Sequence, residues 1–225
     1  MKRKRSDHIP RQPSGAAVRQ PSVTSALTVA LFVEWARHGY GALSLEAVAR
    51  RAGVGKAALY RRWPSKQAMV IERLEQADLA IAEVPDTGSL QSDLRHLLGG
   101  LYRQLRRPLV RRILPDLHAE MLRSPQLAKA IRGRLQITRR ARAALLVARA
   151  VERGELPGDS DAELFADAAG GLIYWRMIVT DGRVDPSYLD ELASFILAGL
   201  GALPPGNHRP AARRSQVAPQ RSRNC

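Results

Sequence analysis

An all-α fold is what this sequence predicts: a small N-terminal module of three helices, then a bundle of six. Three observations carry it. Between residues 21 and 203 apolar residues recur at helical spacing in segment after segment, and no stretch keeps the two-residue alternation of a half-buried strand. Gly, Pro and Asp-Gly stops separate the segments. The second and third segments are short, whereas those after residue 65 are longer, which divides the chain into a module and a bundle.

The elements follow in order. Leu27, Leu31 and Trp35 lie one turn apart on a first helix from about Val23 to His38, which Gly39-Tyr40-Gly41 stops. Ser44 is placed to cap a second helix through Ala52, and Glu46 in its first turn suits the helix dipole. Gly53 breaks the chain, and a third helix from about Gly55 to Arg62 ends before Trp63-Pro64. A fourth runs from near Ser65 to about Glu83. Ser89 caps a fifth carrying Leu90, Leu94, Leu97, Leu98, Leu101 and Leu105; Pro108 and Pro115 punctuate a sixth that continues to about Arg123. Pro125 opens a long helix to about Arg153, an almost wholly apolar one spans about Asp161 to Thr180, and Pro186 opens the last, to about Leu200.

The 225 residues carry a net charge of +15, unevenly spread. Residues 1–20, 21–70 and 204–225 each hold a net +5, while 71–203 are neutral. The two ends, rich in Pro and Arg, read as basic disordered tails at 1–20 and 204–225, flanking domains at 21–66 and 67–203. Arg outnumbers Lys throughout, which a GC-rich genome explains as readily as phosphate recognition, yet that bias does not account for the neutral middle. Cys225 stands alone, which excludes a disulfide framework and any cysteine-based zinc site. No apolar run reaches the roughly 18 residues of a membrane span, and Lys2-Arg3-Lys4-Arg5 is followed by polar residues rather than by a signal-peptide core. The expectation is a soluble, cytoplasmic protein.

Residues 44–62 have the layout of a helix-turn-helix. Ala49 is small enough for two helices to cross closely, and Gly53 can adopt the positive φ of a sharp inter-helix turn. Leu45, Val48, Ala52, Val54 and Leu59 fall where a three-helix core needs apolar side chains, closed by Leu31 and Trp35. Lys56, Ala57, Tyr60 and Arg61 remain outward on the third helix: two cations, a small residue permitting close approach and an aromatic hydroxyl. That set suits a short helix whose N-terminal end enters the major groove of DNA.

With Gly39-Tyr40, Ser44-Leu45, Val48-Ala49, Ala52-Gly53-Val54-Gly55-Lys56 and Leu59-Tyr60-Arg61-Arg62-Trp63-Pro64-Ser65-Lys66, the stretch from Ala26 to Lys66 resembles the DNA-binding domain of TetR-family transcriptional regulators. Gly171-Leu172-Ile173-Tyr174-Trp175-Arg176 and Val179-Thr180-Asp181-Gly182 resemble one branch of that family. The resemblance implies DNA contacts from Ser44, Lys56, Ala57, Ala58, Tyr60, Arg61, Arg62 and Lys66. Many relatives carry Thr at the position of Ala58, where an alanine leaves only apolar contact, as with a thymine methyl. Trp63 reads as core. Lys2, Arg3, Lys4 and Arg5 either reach a neighbouring groove or form a solvated tail.

The resemblance also implies a homodimer paired through the last two long helices. Leu164, Phe165, Ala168, Leu172, Trp175, Leu192, Phe195, Ile196 and Leu200 offer more apolar surface than one subunit easily hides, although each taken alone is equally a core position. A small apolar or amphipathic effector bound inside the larger domain is implied as the trigger that releases a near-palindromic operator. Its candidate lining is Leu97, Leu101, Leu117, Met121, Leu135 and Trp175, with core packing as the alternative for each. Arg176, interrupting an apolar helix, is either an anion-recognising group or a structural ion-pair partner. Gly99-Gly100 and Gly170-Gly171 mark close helix crossings or room for a ligand.

Catalytic signatures are missing. On a helix Asp116 and Glu120 share a face while His118 points away, which does not make a metal site. Gly53-Val54-Gly55-Lys56 lacks the full P-loop spacing. The reading is therefore a DNA-binding regulator, not an enzyme, with no cofactor and no metal. Two rivals remain: an architectural protein that binds DNA through basic tails without sequence preference, and a ligand-binding scaffold whose helix-turn-helix is vestigial.

Overall fold

The computed structural model describes residues 21–78 and 86–201. Within them it contains α1 Pro21–Ala42, α2 Leu45–Ala52, α3 Lys56–Arg62, α4 Lys66–Asp78, α5 Leu90–Leu105, α6 Pro108–Arg123, α7 Pro125–Glu152, α8 Ala162–Tyr174, a π-helical turn Trp175–Val179 and α9 Pro186–Gly199. No strand occurs among the described residues. The two basic tails, Cys225 and the expected end of α4 at Glu83 lie outside them.

The helix starts follow their caps. Ser44, Ser65, Ser89 and Ser124 each accept a backbone N–H through Oγ, from Ala47, Ala68, Ser92 and Leu127 at 3.1–3.3 Å. Asp161 and Asp185 do the same for α8 and α9, at 2.8 Å to Glu163 and 2.9 Å to Tyr188. Each such cap is worth about 1 kcal/mol over alanine. Pro115 does not interrupt α6, which continues through it to Arg123. The expected single helix over 161–180 instead passes into the π turn at Trp175, where Thr180 N–H reaches back five residues to the Trp175 carbonyl.

The described residues form two compact units, one of 21–78 and 104–137 and the other of 86–103 and 138–201. The α6 helix thus packs in the same unit as the N-terminal helices, a grouping that crosses the sequence-based boundary at residue 67.

In the first unit Leu27, Leu31, Trp35, Leu45, Val48, Ala49, Leu59, Trp63, Met69 and Val70 form one buried cluster, joined by Ile113 and Leu117 of α6 and by Leu127 and Ile131 of α7. Full burial of a Leu or Met side chain contributes about 1.5–3 kcal/mol, so this cluster dominates the module's stability. Ala52 and Val54 pack against it half-buried. Gly39, at φ 75° and ψ 164°, occupies a region that is essentially reserved for glycine and breaks α1 before its final residues. The released backbone N–H of Tyr40 is taken up by Asp116 of α6 at 2.7 Å.

A second device closes the other side of the module. Glu72 accepts from Trp63 Nε1 at 2.6 Å, pairs with Arg73 and lies 3.4 Å from an Arg62 nitrogen. Both guanidinium groups lie over the Trp63 ring, at 4.2 Å for Arg62 and 5.3 Å for Arg73. Burial works against the Glu72 charge, but these donors and cations outweigh it and hold the carboxyl below its usual range. Arg73, almost wholly buried, depends on that anion.

The second unit buries Leu90, Leu94 and Leu98 of α5, Ala143, Leu146, Val147 and Ala150 of α7, Phe165, Ala169 and Ile173 of α8, and Leu189, Leu192, Ala193 and Ile196 of α9. Its polar staple is Asp93, with no exposed surface. Asp93 accepts from Thr87 through N–H (2.8 Å) and Oγ1 (2.7 Å), while Arg153 lies 3.3 Å from its other oxygen and also pairs with Asp86 and Glu155. Glu155 in turn accepts the first N–H of α5, from Leu90, at 2.5 Å.

Candidate nucleic-acid interface

The helix-turn-helix is built as its residues dictate. Gly53 caps α2 in the left-handed conformation (φ 67°), its N–H turning back to Ala49 and Arg50, and Val54 N–H bonds the Ala49 carbonyl at 2.9 Å. That tight reversal sets α3 against α2, with Leu59 its single buried residue. Lys56, Ala57, Ala58, Tyr60 and Arg61 all face solvent, so α3 presents two cations, two methyl groups and a phenol on one short helix. No acidic residue lies on α3.

The remaining residues expected at DNA are occupied within the protein. Arg62 turns inward, donating to Thr24 Oγ1 at 2.8 Å and stacking on Trp63, so it acts as a structural clasp rather than as an outward cation. Lys66 Nζ donates to the carbonyls of Tyr40 (2.7 Å) and Gly41 (2.9 Å), closing the end of α1 with its ammonium over the Tyr40 ring. Ser44 Oγ serves the α2 cap and donates to Glu46 Oε2 at 2.9 Å. Glu46, whose place in the first turn suits the helix dipole, also links α2 to α3. Its Oε1 accepts from Tyr60 Oη at 2.6 Å. The Tyr60 hydroxyl, the residue's own backbone N–H and Ser44 hold the Glu46 carboxyl down at about 2, and Lys56 adds a smaller electrostatic push. Burial of Trp63 agrees with its reading as core.

The expected effector lining divides between units. Leu117 is buried in the first unit's core and Met121 packs half-buried against it, so both are structural there. Leu97 and Leu101 are half-buried in the second unit, Trp175 is 60% exposed on its surface, and the Leu135 side chain lies outside the described residues. Arg176 does not sit in the apolar interior. Its Nε donates to the Arg183 carbonyl at 3.1 Å, its guanidinium lies 5.0 Å from the Tyr188 ring centre, and its shaft fills the space a side chain at Gly182 would need. At Gly99, Gly100 and Gly170 an added Cβ would meet only arginine side chains, at 3.5–3.9 Å, rather than another helix backbone. Of the expected pairing residues, Phe165, Leu192 and Ile196 are buried in the subunit's own core, whereas Leu164, Leu172 and Phe195 are exposed and Ala168 and Leu200 are intermediate. Asp116 is committed to α1, and no group of potential metal ligands occurs among the described residues. None of the described helices is long and apolar enough to cross a membrane.

Comparison with known proteins fits this geometry. Residues 27–72 match the family "Bacterial regulatory proteins, tetR family", and residues 84–196 match "Tetracyclin repressor-like, C-terminal domain". The chain is 33% identical over 162 residues to the DNA-binding transcriptional repressor TetR of Mycobacteroides abscessus, covering 72% of this chain and 84% of the relative. It is 30% identical over 172 residues to an uncharacterised HTH-type transcriptional regulator of Mycobacterium bovis, covering 76% and 81%. Among solved structures, the TetR family transcription regulator SCO0332 superposes with a TM-score of 0.61 at 31% identity, over 79% of this chain and 98% of that one. The protein is a DNA-binding transcriptional regulator and belongs to the TetR family.

Proposed function

We propose that the protein is a cytoplasmic homodimeric repressor that holds a near-palindromic operator and is released from it by a small apolar or amphipathic molecule. The domains in this reading are the helix-turn-helix at 21–66 and the dimerising, effector-binding region at 67–203. The observation that carries it is the outward set Lys56, Ala57, Tyr60 and Arg61 on a helix without acidic residues, set at the angle that the Gly53 turn imposes. Each subunit inserts α3 into a major groove, and the two grooves lie about one helical turn apart, roughly 34–36 Å. Repression as the sense of control is supported by the relative named a transcriptional repressor.

Dimerisation is supported by a stripe of apolar side chains. Leu164, Ala168, Leu172, Trp175 and Val179 follow one another at spacings of three and four along α8 and the π turn, with Phe195 on the adjoining α9. Leu164, Trp175, Val179 and Phe195 are each more than half exposed. A patch of this kind on a soluble chain marks a protein interface. Ser44 and Lys66 reach phosphates in this reading only if they leave their present partners.

The test combines a reporter and light scattering. A reporter driven from a promoter that carries the regulator's operator is expected to be silenced by the wild-type protein and restored by Lys56→Ala, with the variant still scattering as a dimer. Equal silencing by both proteins contradicts the recognition-helix assignment.

A further inference from the structure

The Tyr60 hydroxyl has one hydrogen, and that hydrogen is already spent. Glu46 Oε1 lies 2.6 Å from Tyr60 Oη, and Glu46 Oε2 accepts from Ser44 at 2.9 Å. An ionised carboxylate can only accept, so Tyr60 is the donor of the pair, and what its oxygen still offers outward is lone pairs. Phosphate oxygens, guanine O6 and N7, and thymine O4 are acceptors and cannot use such a group. Adenine N6 and cytosine N4 are donors that point into the major groove, and they can. The Glu46 carboxylate beside Tyr60 further disfavours a phosphate there, since like charges repel.

We propose that Glu46 is a positioning residue that fixes Tyr60 as a hydrogen-bond acceptor, so that each operator half-site carries a base with an exocyclic amino group opposite Tyr60. This rests on the reading that α3 enters the major groove. Neither Ser44 nor Lys56 performs this role: the first holds the far oxygen of the carboxylate, and the second supplies positive charge without restricting the phenol hydrogen. Glu46 itself need not touch DNA.

The experiment is selection from random duplex DNA by the full-length wild type, Glu46→Ala, Glu46→Gln, Tyr60→Phe and the Glu46→Ala/Tyr60→Phe double variant, with sequencing of what each retains. Wild type is expected to prefer adenine or cytosine over guanine or thymine at one position per half-site by about threefold to tenfold, the range of one net hydrogen bond. Glu46→Ala flattens that position and leaves the rest of the motif in place. Glu46→Gln keeps the preference, because its amide oxygen accepts the same hydrogen while the amide nitrogen turns to Ser44. Tyr60→Phe flattens the same position, and adding Glu46→Ala to it changes nothing more there. A motif identical in wild type and Glu46→Ala overturns the inference while leaving the DNA reading intact. A uniform gain of affinity in Glu46→Ala without any change of preference also overturns it, since Tyr60 is then a phosphate donor. A wild type that enriches no motif removes both.

Discussion

Trp35 Nε1 donates to Asp116 Oδ2 at 2.6 Å, joining two residues 81 positions apart, and the same oxygen accepts the Tyr40 N–H at 2.7 Å. One carboxylate on α6 thereby holds both the core tryptophan of α1 and the backbone that Gly39 frees by leaving the helix. Asp116→Ala leaves two donors unsatisfied in a partly buried place and is expected to cost about 2–6 kcal/mol, at about 1–3 kcal/mol for each lost partner. Asp116→Asn, which keeps an acceptor oxygen, should cost less than Asp116→Ala. Urea unfolding of both variants measures the difference.

Gly39 offers an independent check of the same joint. An added Cβ meets Asp116 Oδ1 at 3.5 Å, an ordinary contact, so the cost of Gly39→Ala comes from the backbone. It is expected to be about 1–3 kcal/mol, visible as a drop in Tm. A neutral Gly39→Ala means that α1 is not broken there.

Glu72 gives a pH dependence with a definite sign. Its folded carboxyl sits below its ordinary 4.5, so the stability it contributes is fully present above that value and is lost as pH falls through the lower folded value. Thermal unfolding followed from pH 7 down to pH 3 should show Glu72→Gln less stable than wild type at pH 7. The two curves should converge toward the acid end. A constant gap across the range contradicts the ion-pair account of Arg62, Arg73 and Trp63.

Phe195, 68% exposed on α9, should matter to assembly and not to folding. If the chain pairs through α8 and α9 as proposed, Phe195→Glu is expected to sediment as a monomer where the wild type sediments as a dimer, while leaving Tm of the dilute protein within a few degrees of wild type. Phe165→Ala, by contrast, opens a core cavity and should cost about 3–5 kcal/mol. Equal effects from the two would remove the distinction between interface and core on α8 and α9.

What the sequence made legible is what local chemistry decides. Ser44, Gly53 and the spacing of Leu45, Val48 and Leu59 were enough to place α2, the turn and α3, because a cap, a positive φ and an apolar face are short-range requirements. The Ser89 cap of α5 is legible for the same reason. Long-range partners were not. Asp116, Glu72 and Arg73 look like ordinary surface residues until packing of α6 on α1, or of α4 on Trp63, brings them to their donors. Along α8 and α9 a run of apolar residues cannot say which side faces the subunit's own core, so Phe165, Leu192 and Ile196 were grouped with the outward Leu164, Leu172 and Phe195. Arg62 is a further case of a long-range partner: the resemblance implies a DNA contact there, and in the structure the Trp63 ring and the Thr24 hydroxyl draw its guanidinium inward. The π turn after Tyr174 has no composition signal that separates it from an α-helix.

The outward face of α3 makes Lys56 and Tyr60 the sensitive positions for DNA. Lys56→Ala and Tyr60→Phe should each weaken operator binding while the dimer stays intact, and fluorescence anisotropy with a labelled operator measures both. Loss of a phosphate-contacting Lys56 should also reduce the salt slope by about one, whereas Tyr60→Phe should leave the slope unchanged.

The most direct measurement of the central claim is the affinity of the wild-type protein for its selected near-palindrome against a scrambled duplex of the same composition, across a salt series that includes physiological ionic strength. Sequence-specific regulation by α3 predicts a ratio of at least about 10³ at physiological salt, retained when residues 1–20 and 204–225 are removed. Equal affinity for the two duplexes, collapsing together as salt rises and vanishing with the tails, would contradict it.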